Sequence, residues 1–188
     1  IVWMKGKLDG MSSQGYSPAS ISLDAVKEKY SEMPKYGWTP VTVSGAPAGW
    51  AALSEKYGNL SLADCLKPAV DLARDGFPVA ATVAVAWKRA AKKFESQLEA
   101  HPEIQSWFDC FTKDGRTPDP FEMWTLPDHA TTLEKIGQTQ AKAFYEGDLA
   151  EKIAQQSQAD GGYLSLEDLK NHKPLFVTPI KTNYRGYD

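Results

Sequence analysis

Histidine side chains are the first candidates for acid–base chemistry near neutral pH, and the sequence holds three of them, His101, His129 and His172. A serine–histidine–aspartate site requires its base within hydrogen-bond reach of the nucleophile. None of the three histidines lies in a local nucleophile motif. We therefore expect each to be a surface or capping histidine, and local motifs name no catalytic residue.

The spacing of the other polar residues does not indicate metal or cofactor chemistry. The sequence contains no H-x-x-x-H or C-x-x-C pair and no two-histidine–carboxylate cluster, so we predict no metal site. It also lacks G-x-G-x-x-G and the P-loop pattern, so we expect no nucleotide cofactor. Asp114 and Asp119 flank a turn without the ligand order of an EF-hand, which favours solvated carboxylates over calcium ligands.

Cys65 and Cys110 are the thiols of the chain, and each lies inside an apolar helical pattern. Two cysteines at this spacing form no disulfide framework. We expect both to be buried free thiols that pack as small apolar side chains.

Length and composition limit what can surround these residues. A chain of 188 residues with 42% hydrophobic and 24% charged residues can bury one core as a single domain. Its net charge of −3 gives no attraction to nucleic acid, so a nucleic-acid partner is not expected. The longest apolar stretch, residues 79–87, is far shorter than the ~20 residues that cross a bilayer, and we predict no membrane span.

Hydrophobic spacing and turn residues predict an α+β chain that is mostly helical. Helices are expected where a capping serine or a first-turn proline precedes an apolar stripe. They lie at residues 21–30, 47–57, 62–75, 78–98, 102–108, 127–136, 148–154 and 165–171. Strands are expected at residues 1–4, 39–43 and 175–180, with a polar loop at residues 9–18. Pro179 places the last strand at a sheet edge or interrupts it.

One helical core is predicted from the largest side chains on the apolar stripes. We expect its members to pack together, since each recurs at helical spacing with other apolar residues. They are Trp50, Leu66, Val70, Trp87 and Phe94.

Longer stretches of the sequence resemble the large-subunit region of gamma-glutamyltransferases. The two longest are VTVSGAPAGW at residues 41–50 and LKPAVDLARDGFPV at residues 66–79. The others are YG at 57–58, Trp124 with LPDHA at 126–130, AFYEG at 143–147, DGGYLSLEDL at 160–169, PI at 179–180 and YRGY at 184–187. They occur in the family's order and cover nearly the whole chain, which is therefore identified as a member of that family.

The resemblance implies that residues 1–188 are a single fragment, the later part of a large subunit, with an N-terminal part and a small subunit outside it. The family's fold is the αββα sandwich of N-terminal nucleophile hydrolases, made as one precursor that cuts itself. A threonine freed at the small subunit's N-terminus attacks glutathione-like donors, with its own amine as base. The implied partners are a small gamma-glutamyl substrate and the rest of the precursor, and the isolated chain should be inactive.

One substrate contact of the family normally falls within this region. It is an arginine, just before an Ala-Pro pair, that binds the α-carboxylate of the glutamyl group. Aligned without gaps, residues 10–18 place Tyr16 at that position. A neutral phenol in place of a bidentate cation leaves at most one hydrogen bond, so we expect an altered donor preference. Tyr16 is the candidate substrate-binding residue, and packing beneath its own loop is the alternative.

Two other functions stay open from the sequence. The chain could belong to a non-catalytic binding or scaffold relative, or to an acylase of the same superfamily that cleaves a different amide. A threonine after a self-cleavage site downstream would favour an enzyme. The first residues begin inside a predicted strand with no signal-peptide pattern, so we expect a longer protein and leave its location open between periplasmic or secreted and cytoplasmic.

Overall fold

The computed structural model describes residues 1–187, and most of its ordered elements are helices. The helices are α1 (Leu23–Lys29), α2 (Ala46–Tyr57), α3 (Leu62–Asp75), α4 (Ala81–Glu95), α5 (Gln105–Phe111), α6 (Pro127–Gln138), α7 (Lys142–Tyr145), α8 (Asp148–Ala159) and α9 (Leu166–Lys170). The strands are β1 (Val2–Met4), β2 (Lys7–Ser12), β3 (Phe77–Pro78), β4 (Met123–Trp124) and β5 (Leu175–Val177). The prediction of a mostly helical α+β chain is confirmed.

Helix starts follow the capping signals in the sequence. Ser22 accepts a hydrogen bond from the Ala25 amide at 3.1 Å, and Ser61 accepts one from the Asp64 amide at 3.0 Å. Ser165 begins α9 in a complete capping box with Asp168. The third position of a capping box is usually Glu or Gln, and here the shorter Asp still reaches back to the Ser165 amide at 2.9 Å.

The larger sheet is antiparallel, with the strand order β1-β2-β5. Trp3 lies opposite Leu8, and Ser12 lies opposite Leu175. The polar loop expected at residues 9–18 is therefore partly wrong, because its first residues extend β2 to Ser12. The last predicted strand is confirmed at the sheet edge as β5, but it ends at Val177 and does not reach Pro179.

Residues 39–43 do not form the predicted strand. Their β-branched residues suit extended backbone, but no neighbouring strand pairs with them in the described chain. Val43 instead donates its amide to the Tyr16 carbonyl at 3.1 Å, and its side chain is buried in the main core cluster. This segment crosses the loop after β2, and that crossing builds the site described below.

The two faces of the larger sheet have different surroundings. On one face, the Phe176 ring contacts the Tyr57 ring of α2 edge-on, with 6.3 Å between centroids. The antiparallel register places a second set of side chains together on the opposite face. This set, which we call the bare sheet face, is exposed and apolar, and comprises Trp3, Leu8, Leu175 and Val177.

The predicted single core is wrong, since its members separate into different clusters. Val70 packs with Ala73 and Ala130 between α3 and α6, whereas Trp87 packs on the cluster around Trp124. Trp50 is 43% exposed. Helix α2 buries Gly49 instead, since an added Cβ there would lie 3.1 Å from the Ser13 Cβ.

Two further expectations can be compared with the described residues. Cys65 and Cys110 are free thiols as predicted, but both are exposed, so the prediction of burial is wrong. Within residues 1–187, no helix combines the length and apolar character needed to cross a membrane.

Candidate functional site

Residues 13–20, which we call the Tyr16 loop, are fixed at both ends by hydrogen bonds to segments distant in sequence. Near its start, the Ser13 hydroxyl donates to the Gly45 carbonyl at 2.7 Å. Near its end, the Ala19 amide donates to the Asp168 carboxylate at 2.8 Å, and the Ser20 hydroxyl donates to the Tyr163 carbonyl at 3.0 Å. The backbone of the loop is thereby positioned without any use of the Tyr16 side chain.

Two glycines allow this loop to cross residues 43–49 at backbone contact. A Cβ added at Gly15 would lie 1.5 Å from the Val43 carbonyl oxygen, and one added at Gly45 would lie 1.6 Å from the Ser13 carbonyl oxygen. No side chain fits at such distances. The close crossing therefore requires a glycine in each of the two segments, Gly15 in one and Gly45 in the other.

Tyr16 projects from this crossing with 61% of its surface exposed. Its backbone carbonyl accepts the Val43 amide, so the loop holds the residue by its main chain. Such exposure does not fit a ring packed beneath its own loop in residues 1–187. The role of Tyr16 as a substrate contact stays a prediction.

Residues 44–48 are supported from the protein interior by Tyr145 of α7. Its hydroxyl donates to the Ser44 carbonyl at 2.6 Å and accepts the Ala48 amide at 3.1 Å. Burial raises the pKa of this phenol, so it remains a neutral donor. The local spacing did not reveal this residue. Its signal was the AFYEG stretch of the family resemblance.

The imidazole ring of His172 stacks on the ring of Tyr145. The two ring centroids are 5.4 Å apart and the planes meet at 24°. Only 7% of His172 is exposed, so the expectation of a surface histidine is wrong for this residue. Its amide donates to the Leu169 carbonyl at 3.1 Å at the end of α9, which turns the side chain inward. Burial lowers the pKa of the imidazole and favours its neutral form.

Asp168 connects the loop to α9. Burial opposes its ionisation, but hydrogen bonds from the Ser165 hydroxyl and from the Ala19 and Ser165 amides outweigh that effect and lower its pKa. The ionised carboxylate therefore serves two purposes at neutral pH. It caps α9, and it holds the loop through Ala19.

The other titratable residues form separate surface groups. His101 contacts Glu103 at 3.1 Å, and His129 lies 3.9 Å from the Cys110 sulfur. Asp9 accepts from the Tyr57 hydroxyl at 2.5 Å, which, together with nearby lysines, lowers its pKa to about 2. Within the described part of the chain, no group of three or more His, Cys, Asp or Glu side chains could hold a metal ion.

Comparison with known proteins gives a consistent result over the whole chain. The sequence profile of the family described as gamma-glutamyltranspeptidase matches residues 1–188. The chain is 35% identical over 177 residues to the glutathione hydrolase-like YwrD proenzyme of Bacillus subtilis, covering 94% of this chain and 32% of that protein. It is 34% identical over 156 residues to the glutathione hydrolase proenzyme of Escherichia coli, covering 81% of this chain and 26% of that protein.

Solved structures agree with the sequence relatives. Cephalosporin acylase from Bacillus halodurans superposes with a TM-score of 0.94 at 43% identity, covering 98% of this chain and 34% of that one. The gamma-glutamyltranspeptidase of Helicobacter pylori superposes with a TM-score of 0.84 at 25% identity, covering 100% of this chain and 53% of that one. The chain thus spans between a quarter and a third of the two curated relatives, at 26% and 32% of their lengths.

Proposed function

The chain belongs to the gamma-glutamyltranspeptidase family, an enzyme family, and from this premise we propose that residues 1–188 are the later part of the large subunit of such an enzyme. Its fold is the α+β architecture of that family, a part of the αββα sandwich of N-terminal nucleophile hydrolases. The complete protein transfers or hydrolyses the gamma-glutamyl group of glutathione-like donors. Its threonine nucleophile lies outside this chain, and relatives named as proenzymes support such a precursor.

The bare sheet face supports the proposal that the rest of the precursor packs on this chain. Helix α2 contacts one face of the sheet at Phe176, while Trp3, Leu8 and Val177 are exposed on the other face. Each large apolar side chain gains about 1.5–3 kcal/mol when it is fully buried. A second sheet on this face would complete the β-on-β layer of the sandwich. The partner proposed is thus the remainder of the same precursor, including the small subunit.

In this proposal the chain helps to bind the acyl donor, and the rest of the precursor supplies the threonine that attacks it. The threonine hydroxyl attacks the donor's amide carbonyl while its own amine takes the proton. That proton then passes to the leaving amine as the C–N bond breaks, which leaves a gamma-glutamyl ester on the threonine. Water or an acceptor amine then attacks that ester and releases the threonine. Tyr16 lines the donor site from the crossed loop, and the observation that carries this role is its exposed side chain on a fixed backbone.

Tyr16 also favours a second candidate function, an acylase with a different amide donor. An α-carboxylate loses its charge-assisted pair when the arginine is replaced by a neutral phenol. The relative at 43% identity is named a cephalosporin acylase, and it exceeds the gamma-glutamyltranspeptidase of Helicobacter pylori in both identity and TM-score. A donor with no α-amino acid group would fit a tyrosine better than glutamate does. A non-catalytic scaffold remains the third alternative, and turnover by the complete protein distinguishes it.

The test is kinetic and uses the complete protein. Wild type, Tyr16→Arg and Tyr16→Gln are compared on gamma-glutamyl donors with and without the α-carboxylate. An ion pair in a partly desolvated site contributes about 1.5–3 kcal/mol, so Tyr16→Arg should raise kcat/KM roughly tenfold or more for the carboxylate donor alone. Tyr16→Gln is the matched control, since it changes the side chain without adding charge. Equal treatment of both donors by all three proteins would contradict the proposed role of Tyr16.

A further inference from the structure

His172 is a buried polar side chain whose burial is not explained by stability. Neither ring nitrogen has a hydrogen-bond partner within residues 1–187, although 93% of the residue is shielded, as its 7% exposure shows. A buried polar group without a partner costs about 1–3 kcal/mol. An apolar ring of the same shape at position 172 would therefore make the folded state more stable. We expect the histidine to have a role other than stability.

The surroundings of the ring point to the loop crossing. His172 stacks on Tyr145, whose hydroxyl bridges the Ser44 carbonyl and the Ala48 amide. The His172 Nε2 also lies close to Gly45, because a Cβ added there would be 3.0 Å from it. The imidazole thus supports residues 44–48 both directly and through the phenol.

The same segment holds the Tyr16 loop. Gly45 accepts the Ser13 hydroxyl at 2.7 Å, and Val43 donates its amide to the Tyr16 carbonyl at 3.1 Å. A continuous set of packed and hydrogen-bonded groups therefore runs from the imidazole to the loop. We propose, on the premise of the function proposed above, that His172 is a positioning residue: its neutral ring, stacked on Tyr145, holds residues 43–49 and the Tyr16 loop in the conformation that binds the acyl donor.

This role depends on the charge of the ring. The titratable group that faces it from α7 is Tyr145, and residues 43–49 carry no charged side chain. Asp168 of the preceding helix directs its carboxylate to Ser165 and Ala19. Protonation would therefore place an unpaired imidazolium beneath the crossing. Because burial lowers the pKa of this imidazole, the loop should loosen and donor binding should weaken only at a pH below the ordinary histidine value of about 6.5.

The kinetic experiment compares His172→Ala, His172→Phe and Val70→Ala with wild type in the complete protein. His172→Ala should raise the donor KM roughly three- to thirty-fold and leave kcat within about twofold of wild type. His172→Phe keeps a stacking ring, so it should restore KM at neutral pH and remove the rise of KM that wild type shows in acid. Val70→Ala is the matched control, a truncation in the α3–α6 cluster that should lower stability without changing KM.

Amide hydrogen exchange supplies a readout that does not depend on activity. His172→Ala should speed exchange in peptides covering residues 13–20 and 41–50, whereas Val70→Ala should not. If the complete protein turns over no amide donor but exchange changes in this way, the proposed function fails and the positioning role stands. Unchanged exchange in His172→Ala, an equal KM rise in Val70→Ala, or an acid rise of KM that persists in His172→Phe would overturn the role of His172.

Discussion

The close crossing of the Tyr16 loop and residues 43–49 predicts a large cost for a single methyl group. In Gly15→Ala, the new Cβ would lie 1.5 Å from the Val43 carbonyl oxygen, while ordinary contacts begin at 3.4 Å. The two backbones would have to part by roughly 2 Å, which breaks both the Val43–Tyr16 and the Ser13–Gly45 hydrogen bonds. Gly45→Ala meets the Ser13 carbonyl at 1.6 Å and should have the same effect.

The expected loss in the free energy of unfolding follows from those contacts. Losing two hydrogen bonds costs about 0.5–1.5 kcal/mol each, and overpacking adds about 1–3 kcal/mol. We therefore expect either variant to lower the free energy of unfolding of the complete protein by about 2–6 kcal/mol, measured from urea midpoints. Gly115→Ala is the control, since its φ is +75° and no atom lies within 4 Å of the added Cβ. It should cost about 1 kcal/mol from backbone strain alone. If Gly15→Ala lowered the free energy of unfolding no more than Gly115→Ala does, the close backbone contact at the crossing would be refuted.

Two other predictions concern groups beside and away from the loop. Because the folded pKa of Asp168 lies below its unfolded value, its contribution to stability is present above about pH 4 and is lost as the pH falls through the folded pKa. Asp168→Asn should therefore flatten the acid side of a stability-against-pH curve, and an unchanged curve would contradict the link to Ala19 and Ser165. Cys65 and Cys110 should both react with a thiol reagent in the native protein, and protection of either until unfolding would contradict its exposure.

The helices could be predicted from the sequence because their signals are local. Ser22, Ser61 and Ser165 each stand before an apolar stripe, and each caps its helix, as expected of a serine at that place. Helix α7 was missed, since four residues are too few to establish a period. The sequence signal for Tyr145 was its place in the five-residue AFYEG stretch of the family resemblance, since local spacing gave none.

The predicted core and the predicted strand at residues 39–43 failed for a different reason. Apolar spacing reveals that a helix has a buried stripe, but not which neighbour covers it. Trp50 is exposed because α2 turns Gly49 toward Ser13. The orientation of α2 thus depends on a loop that is distant in sequence. Likewise, Val43 has the β-branched character of a strand residue, but its amide partner is a loop carbonyl. His172 is buried by the turn after α9, which no local pattern specifies.

The crossing leaves the side chain at position 16 free to vary while the backbone contacts of the loop are kept. The fold uses the carbonyl of Tyr16, the hydroxyl of Ser13 and the glycines of the two segments, and all of these are independent of the side chain at position 16. If the family arginine stands at this position, as the resemblance implies, exchanging it for tyrosine removes a cation from the exposed tip and leaves these backbone contacts in place. In the function proposed above, donor preference and loop geometry are therefore separate properties of this loop. Substitutions at Tyr16 should alter which donor binds, whereas substitutions at Gly45 should alter whether the loop is positioned at all.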